Sequence, residues 1–366
     1  MKSYLKKFAR LFIGKKRALK DLDNVEHETV NLFGSETVET PETLDMHAFT
    51  YPGEVLLKGK AYETPELSIS LIENVLYFPK ENVLVTPSRE IIAESLIIGE
   101  DSSLLRLKKL LSKSVETIPG YSCVFHSNRS GYYHTLIVEP PRLFLLNESK
   151  YKDLDEIKLL CPKAIQPFEK ISIANLAPKN SKPLVVDENQ VYHLEKALLP
   201  SFATKRSCGY LPRPYVDELK AKLLPQRPSL RNRRSLISRA KCSSTLSKGR
   251  GRHILNEDSL MDSLSKYGFK KYLLEDLSFE EQISLFYDSE IIVGSHGAGL
   301  ANLVFADRAS VLELHPRNII TPTFYYLCKS LNHNYKYWSA EIEAPHNRVD
   351  FEVDVEKILE MLSDWL

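Results

Sequence analysis

The chain has 366 residues, 43% of them hydrophobic and 27% charged, which is enough apolar sequence to fill two cores without disulfide or metal staples. Forty-nine basic residues against 48 acidic ones leave a net charge of +1, which argues against a dedicated nucleic-acid binder. The five cysteines (Cys123, Cys161, Cys208, Cys242 and Cys328) form no Cys-x-x-Cys pair, and no run of 18 apolar residues occurs, so a secreted disulfide framework and a transmembrane helix are both excluded; a reducing cytosol fits this usage.

Residues 1–20 carry eight Lys or Arg and no acid, with Leu5, Phe8, Leu11 and Phe12 at helical spacing. Such a segment suits peripheral contact with an anionic membrane face or an assembly complex. Residues 21–46 turn acidic and read as a linker, so 1–46 forms an N-terminal arm. A first domain follows over 47–200. Strand-like runs lie at 74–78, 83–86, 91–98, 122–126, 154–160 and 183–186, and helix-like stretches at 103–112 and 131–148. The adjacent prolines Pro140 and Pro141 are expected to bend or end the second helix.

The second domain, 201–345, alternates short β-rich runs with helical stretches. Strands are expected at 235–238, 271–274, 291–294, 311–314 and 335–338, and helices at 256–267, 278–287, 300–306 and 322–331. Strict alternation is the mark of a parallel α/β sheet. An amphipathic helix within 346–366 closes the chain.

Ligands of open parallel sheets bind beyond the carboxyl ends of the strands. Arg239 follows the first of these strands, Ser295-His296-Gly297-Ala298-Gly299-Leu300 follows the third, and Glu313 and His315 close the fourth. A glycine turn opening a helix lets backbone amides approach an anion. Between Lys220 and Arg252 stand eleven Lys or Arg and no acid, including Arg239, Arg250 and Arg252. Arginine forks plus a glycine turn at one edge point to a nucleoside diphosphate, with Glu313 placed to accept from ribose hydroxyls. Asp-x-Asp occurs at Asp21-Leu22-Asp23, within the acidic arm, and at Asp153-Leu154-Asp155, which precedes Glu156 and reads as a solvated turn; nothing else in either segment resembles an oxygen-ligand site, so no metal site is expected. In the first domain His126, His134 and Glu139 are the candidate proton-transfer groups, beside Tyr133 and Arg142.

The run Ile291-Ile292-Val293-Gly294-Ser295-His296-Gly297-Ala298-Gly299-Leu300-Ala301-Asn302-Leu303-Val304-Phe305, with Val311-Leu312-Glu313-Leu314, resembles the signature of glycosyltransferase family 61. So do Ser238-Arg239, Arg252 with Asn256-Glu257, and Tyr133-His134 with Pro141-Arg142. The resemblance implies a GT-B-like α/β fold, two Rossmann-like domains facing across a cleft. It implies an inverting, metal-independent transfer of sugar from a nucleotide sugar, typically a UDP-sugar, with no other cofactor. Arg239, Arg250, Arg252, Asn256, Glu257, Ser295, His296, Gly297, Ala298, Gly299, Leu300, Asn302 and Glu313 would lie on the donor side. His134, Glu139 and His296 would be catalytic, with His134 as base, and Tyr133 and Arg142 would lie on the acceptor side. The acceptor would be a glycan or polysaccharide hydroxyl; lacking a signal anchor, the chain looks like the cytoplasmic bacterial members that build capsular or surface polysaccharide. Thr135 stands where the family often has Trp, and His253 where it often has a second Arg.

Two other functions compete. HGAG also resembles an esterase oxyanion loop, but no Gly-x-Ser-x-Gly elbow occurs. The alternative from another class is a non-catalytic nucleotide- or sugar-binding component of a polysaccharide assembly complex.

Overall fold

A computed structural model describes residues 19–21, 23, 25–39, 61–97, 115–127, 131–162, 164–204, 208–242, 251–317, 320–341 and 350–366. The basic segment 1–18, the helix expected at 103–112, Leu22 of the first Asp-x-Asp, and the loop 243–250 with Arg250 lie outside the described residues. The chain forms two compact units, Met1–Glu36 with Glu63–Arg206, and Thr37–Tyr62 with Ser207–Leu366.

The first unit is built on one mixed sheet of nine strands among the described residues. They are β1 (Leu19–Lys20), β2 (His27–Phe33), β3 (Leu67–Phe78), β4 (Val83–Val85), β5 (Ile91–Ile92), β6 (Glu116–Cys123), β7 (Ile157–Cys161), β8 (Ser181–Val185) and β9 (Tyr192–Pro200). Their order is β1-β5-β4-β3-β9-β6-β7-β8, with β2 on β3. The run β9-β6-β7-β8 is parallel, whereas β3 pairs antiparallel with β2, β4 and β9. Only part of this sheet therefore has the expected Rossmann-like character: β6, β7 and β8 joined through helices α1 (Pro140–Glu148) and α2 (Pro167–Leu176). The antiparallel part follows from the short turn Pro79–Asn82, where Asn82 adopts a φ of 51°. Ile72, Tyr77, Leu84, Ile118, Leu160, Leu194 and Ala197 form the core.

Three expectations change here. The acidic stretch 21–46 is not all linker, because β2 pairs along β3 from His27 to Phe33. The strand expected over 91–98 stops at Ile92, where Ser95 Oγ donates to the Ile92 carbonyl at 2.6 Å and opens a 3₁₀ turn. The helix expected over 131–148 is not continuous: it is interrupted at Glu139, directly before the two prolines. A π turn spans His134–Val138, and Pro140 and Pro141 occupy the first turn of α1, where their missing N–H groups cost nothing.

The second unit carries a five-stranded, wholly parallel sheet: β10 (Arg233–Ser238), β11 (Phe269–Leu273), β12 (Ser289–Ser295), β13 (Ser310–His315) and β14 (Asn334–Ser339), in the order β11-β10-β12-β13-β14. Helices α3 (Arg213–Leu223), α4 (Glu257–Ser265), α5 (Phe279–Tyr287), α6 (Thr323–Leu331) and α7 (Val355–Leu362) accompany it. Parallel strands are covered on both faces, which is why Ile291, Ile292 and Val293 are consecutive and all buried. Leu236, Leu260, Leu264, Val293, Leu312, Ile358 and Leu362 share one core, so α7 closes this unit as its apolar spacing predicts. Each such buried side chain contributes about 1.5–3 kcal/mol. Gly268, at φ 80°, ends the turn after α4, and Ser278 with Glu281 makes the capping box that opens α5.

In chain order the second sheet runs 2-1-3-4-5. The chain leaves β10 for one neighbour and returns to start β12 on the other side. The connections after β10 and β12 diverge, so the topological switch point, and the crevice it opens, lies at their carboxyl ends.

Candidate functional site

The residues that follow β10 and β12 meet. Arg239, directly after β10, donates from Nε to the Gly251 carbonyl at 3.0 Å. Its guanidinium lies so close to the turn after β12 that a Cβ built on Gly297 would fall 2.8 Å from Cζ. Gly297 has a φ of 175°, extended backbone open to any residue, so glycine is needed here for space and not for conformation. The helix expected at 300–306 is a 3₁₀ helix over Ala298–Phe305. Its first N–H groups have no intrahelical partner, as at any helix start.

Arg252 joins the same edge. Ser295 Oγ donates to the Arg252 carbonyl at 2.8 Å, and the Arg252 charge acts on His296. Arg239 and Arg252 both act on the Cys242 thiol, whose pKa is nonetheless raised, first by burial. Two arginines, a glycine turn and one histidine therefore converge at the switch point.

His296 is oriented from beneath. Its Nδ1 lies 2.5 Å from Glu313 Oε1, and Tyr335 donates its hydroxyl to Glu313 Oε2 at 2.6 Å. His315 Nε2 is 3.3 Å from that same oxygen, and its ring stacks on His296 at 5.1 Å. Burial would raise the Glu313 carboxyl, but the charge and hydrogen bonds of His315 and His296 outweigh it and hold Glu313 well below the usual carboxylate range. Burial pushes His296 down to about 4, against the pull of Glu313. At neutral pH Glu313 is thus an anion and His296 a neutral ring that donates Nδ1–H to it, which leaves the Nε2 lone pair as an acceptor.

Several expected ligands have other work. Glu313 is fully buried with both oxygens taken, so it positions His296 and does not reach a ribose. Asn256 exchanges two hydrogen bonds with the Val353 backbone and docks the segment before α7. Glu257 accepts from Ser238 Oγ at 2.8 Å. Asn302 is buried and braces the glycine turn through the Gly299 carbonyl and Gln282. Leu300 is core, and a Cβ on Gly299 would meet Leu274 at 2.9 Å, so Gly299 is there for packing.

In the first unit, Glu139 is paired with His126 and not with His134: His126 Nδ1 is 2.9 Å from Glu139 Oε2, and Ser127 N–H donates to the other oxygen at 3.1 Å. His134 is half-buried on the π turn, its ring 5.4 Å from that of Tyr133, which packs on Ile97, Val138 and Phe202. Arg142, expected on the acceptor side, is wholly buried. It donates to the carbonyls of Pro200, Phe125 and His126 at 2.7–3.0 Å and lies over the Phe202 ring, so it bolts the end of β9 to the segment after β6. Burial pushes it down to about 10, still charged at neutral pH. Asp153 and Asp155 sit on an exposed turn. Sequence spacing missed the His126–Glu139 pair, because one residue ends a strand segment and the other precedes a helix 13 positions later.

Among the described residues no helix is long and apolar enough to cross a membrane. Curated relatives match over short stretches. An EGF domain-specific O-linked N-acetylglucosamine transferase of Drosophila melanogaster is 37% identical over 68 residues, which is 18% of this chain and 13% of that protein. Its namesake in Gallus gallus is 37% identical over 70 residues, with the same shares of 18% and 13%. The chain thus spans about an eighth of these relatives' length. Residues 132–312 match the family model described as Glycosyltransferase 61. That segment runs from the π turn into β13, so Arg239, Arg252, His296 and the glycine turn all lie within the part of this chain that carries the glycosyltransferase 61 pattern.

Proposed function

We propose that this chain is a glycosyltransferase whose second unit binds the diphosphate of a nucleotide sugar at the β10/β12 switch point. The observation that carries the reading is the seating of the Arg239 guanidinium against Gly297 at the topological switch point of this strand order. Arg239, Arg252 and the amides that open the 3₁₀ helix would hold the phosphate oxygens. As the sugar–oxygen bond breaks, charge builds on the departing diphosphate, and fixed cations stabilise it there more than in the ground state. His296 Nε2, a neutral acceptor on the residue before Gly297, would take a hydrogen bond from a hydroxyl of the donor.

The acceptor would be a glycan or polysaccharide hydroxyl, and His134 is the base proposed to take its proton. Attack at the anomeric carbon from the side opposite the diphosphate would give inversion. Charge neutralisation by arginine supports transfer without a divalent ion at the diphosphate; the ligand atoms of His296, Glu313 and His315 converge beneath the turn, where they contact one another. The relatives' name makes UDP-N-acetylglucosamine the first donor to try, and bacterial capsular or surface polysaccharide remains the proposed acceptor class.

A panel of UDP-sugars incubated with the protein, with release of UDP as readout, tests this. UDP release from one member, unchanged by added Mn²⁺ or Mg²⁺, is expected. Binding without release from any member would favour the non-catalytic assembly component instead.

A further inference from the structure

The first unit holds a second chemical cluster that donor binding does not use. His126 lies just beyond β6, Glu139 directly before α1 and Glu169 in the first turn of α2, and one ligand atom from each lies within 4.8 Å of the others. Their exposures are 5%, 4% and 4%. Glu139 is held by His126 Nδ1 and the Ser127 N–H, and Glu169 Oε2 takes the Gln166 N–H at 2.5 Å. His126 Nε2 is buried without a hydrogen-bond partner among the described residues.

Nδ1 is the ring nitrogen that faces Glu139, so it is the donor that an ion shared with Glu139 would take, in place of the present hydrogen bond. Charge points to a cation here: two carboxylates lie in a dry interior, and Arg142, whose guanidinium is spent on three backbone carbonyls, is one cation against them. Cys161, at the end of β7, also feels both carboxylates, and burial with their charge pushes its thiol up to about 12.

We propose that His126, Glu139 and Glu169 bind a divalent cation of the zinc class, a structural site that ties the end of β6 to the starts of α1 and α2. An imidazole nitrogen with two carboxylate oxygens, and a thiol close by, is a donor set for zinc and a poor one for calcium or magnesium. Zinc–ligand bonds of about 2.0–2.2 Å require the three donors to draw in by about 1 Å from their present spread. Binding needs only the lone pairs, so it releases any proton held at the cluster. The site lies within the first unit and stands independently of the donor reading.

The full-length protein, purified without chelator and dialysed against metal-free buffer, is analysed for metal by mass spectrometry. About one zinc per chain is expected, and a Glu139→Gln/Glu169→Gln variant should hold less than a tenth of that. To keep the test independent of the variant's folding, wild-type protein is also stripped, reloaded with Co²⁺ and read for visible absorption of low-symmetry cobalt, with Tm followed as Zn²⁺ is added. Cobalt bands at one equivalent and a rise in Tm are the expected results. Wild-type protein that retains no zinc, shows no cobalt bands and keeps the same Tm on zinc addition would overturn the proposal, whatever the outcome of the UDP-sugar panel.

Discussion

Arg239 touches the turn, and among the described residues its side-chain hydrogen bond within the fold is the one from Nε to the Gly251 carbonyl. Arg239→Ala should therefore weaken binding of UDP by about 10- to 100-fold, the equivalent of about 1.5–3 kcal/mol for a charge-assisted hydrogen bond, with Tm nearly unchanged. Gly297→Ala should act in the same direction, since its Cβ displaces the end of a flexible arginine and not backbone. Calorimetric titration of both variants with UDP checks this, and normal affinity in either would remove that residue from the site. Arg142 behaves oppositely. Arg142→Met strips partners from three backbone carbonyls in a dry interior and should cost about 3 kcal/mol or more, read by urea unfolding. Residue type and strand-end position put Arg239 and Gly297 at one sheet edge, where the structure brings them into contact. They could not separate them from Glu313, Asn256 and Asn302, because spacing says which edge a residue occupies and not whether its side chain is already satisfied within the fold.

At the scale of elements, legibility followed burial. The strands of the second sheet are short apolar runs between helical stretches, so all five were visible in the sequence, each end moving by up to two residues. In the first unit β9 was missed. His193 and the adjacent Glu195 and Lys196 break both the apolar run and the alternation, and its pairing with β3 joins positions over a hundred residues apart. Helix α3, with acids and lysines along one face and buried Tyr215, Val216 and Leu219 along the other, was masked by the cationic run that follows it. The π turn at His134–Val138 had no sequence signal, because an extra residue per turn leaves the apolar run Leu136–Val138 unchanged in composition. It carries a prediction: deleting Thr135 to restore an α-helical register should break the Glu139 N–H bond to the His134 carbonyl and turn His134 out of place. Sugar transfer should fall by at least tenfold while UDP affinity stays within about twofold; transfer at the wild-type rate would remove His134 from the reaction.

For the molecule as a whole, a net charge of +1 supplies no long-range field to draw in a diphosphate, so its capture depends on the local arginines. Acid stability follows from buried groups in the second unit. Burial pushes His296 and His333 both down to about 4, so the unfolded chain takes up protons below about pH 6.5 that the folded chain refuses. Glu313, held low in the fold, adds a loss in the same direction as pH falls below about 4.5. Tm should be highest at or above pH 7 and decline steadily from pH 6.5 toward 4; a flat profile between pH 7 and 5 would contradict this. The central claim, that the β10/β12 switch point is a diphosphate site, is tested most directly by titrating UDP into the full-length chain and its Arg239→Ala variant without added divalent metal. One UDP per wild-type chain, with Kd at least tenfold weaker in the variant, is the predicted result. Equal affinity in the two proteins, or no binding to the wild type, would contradict it.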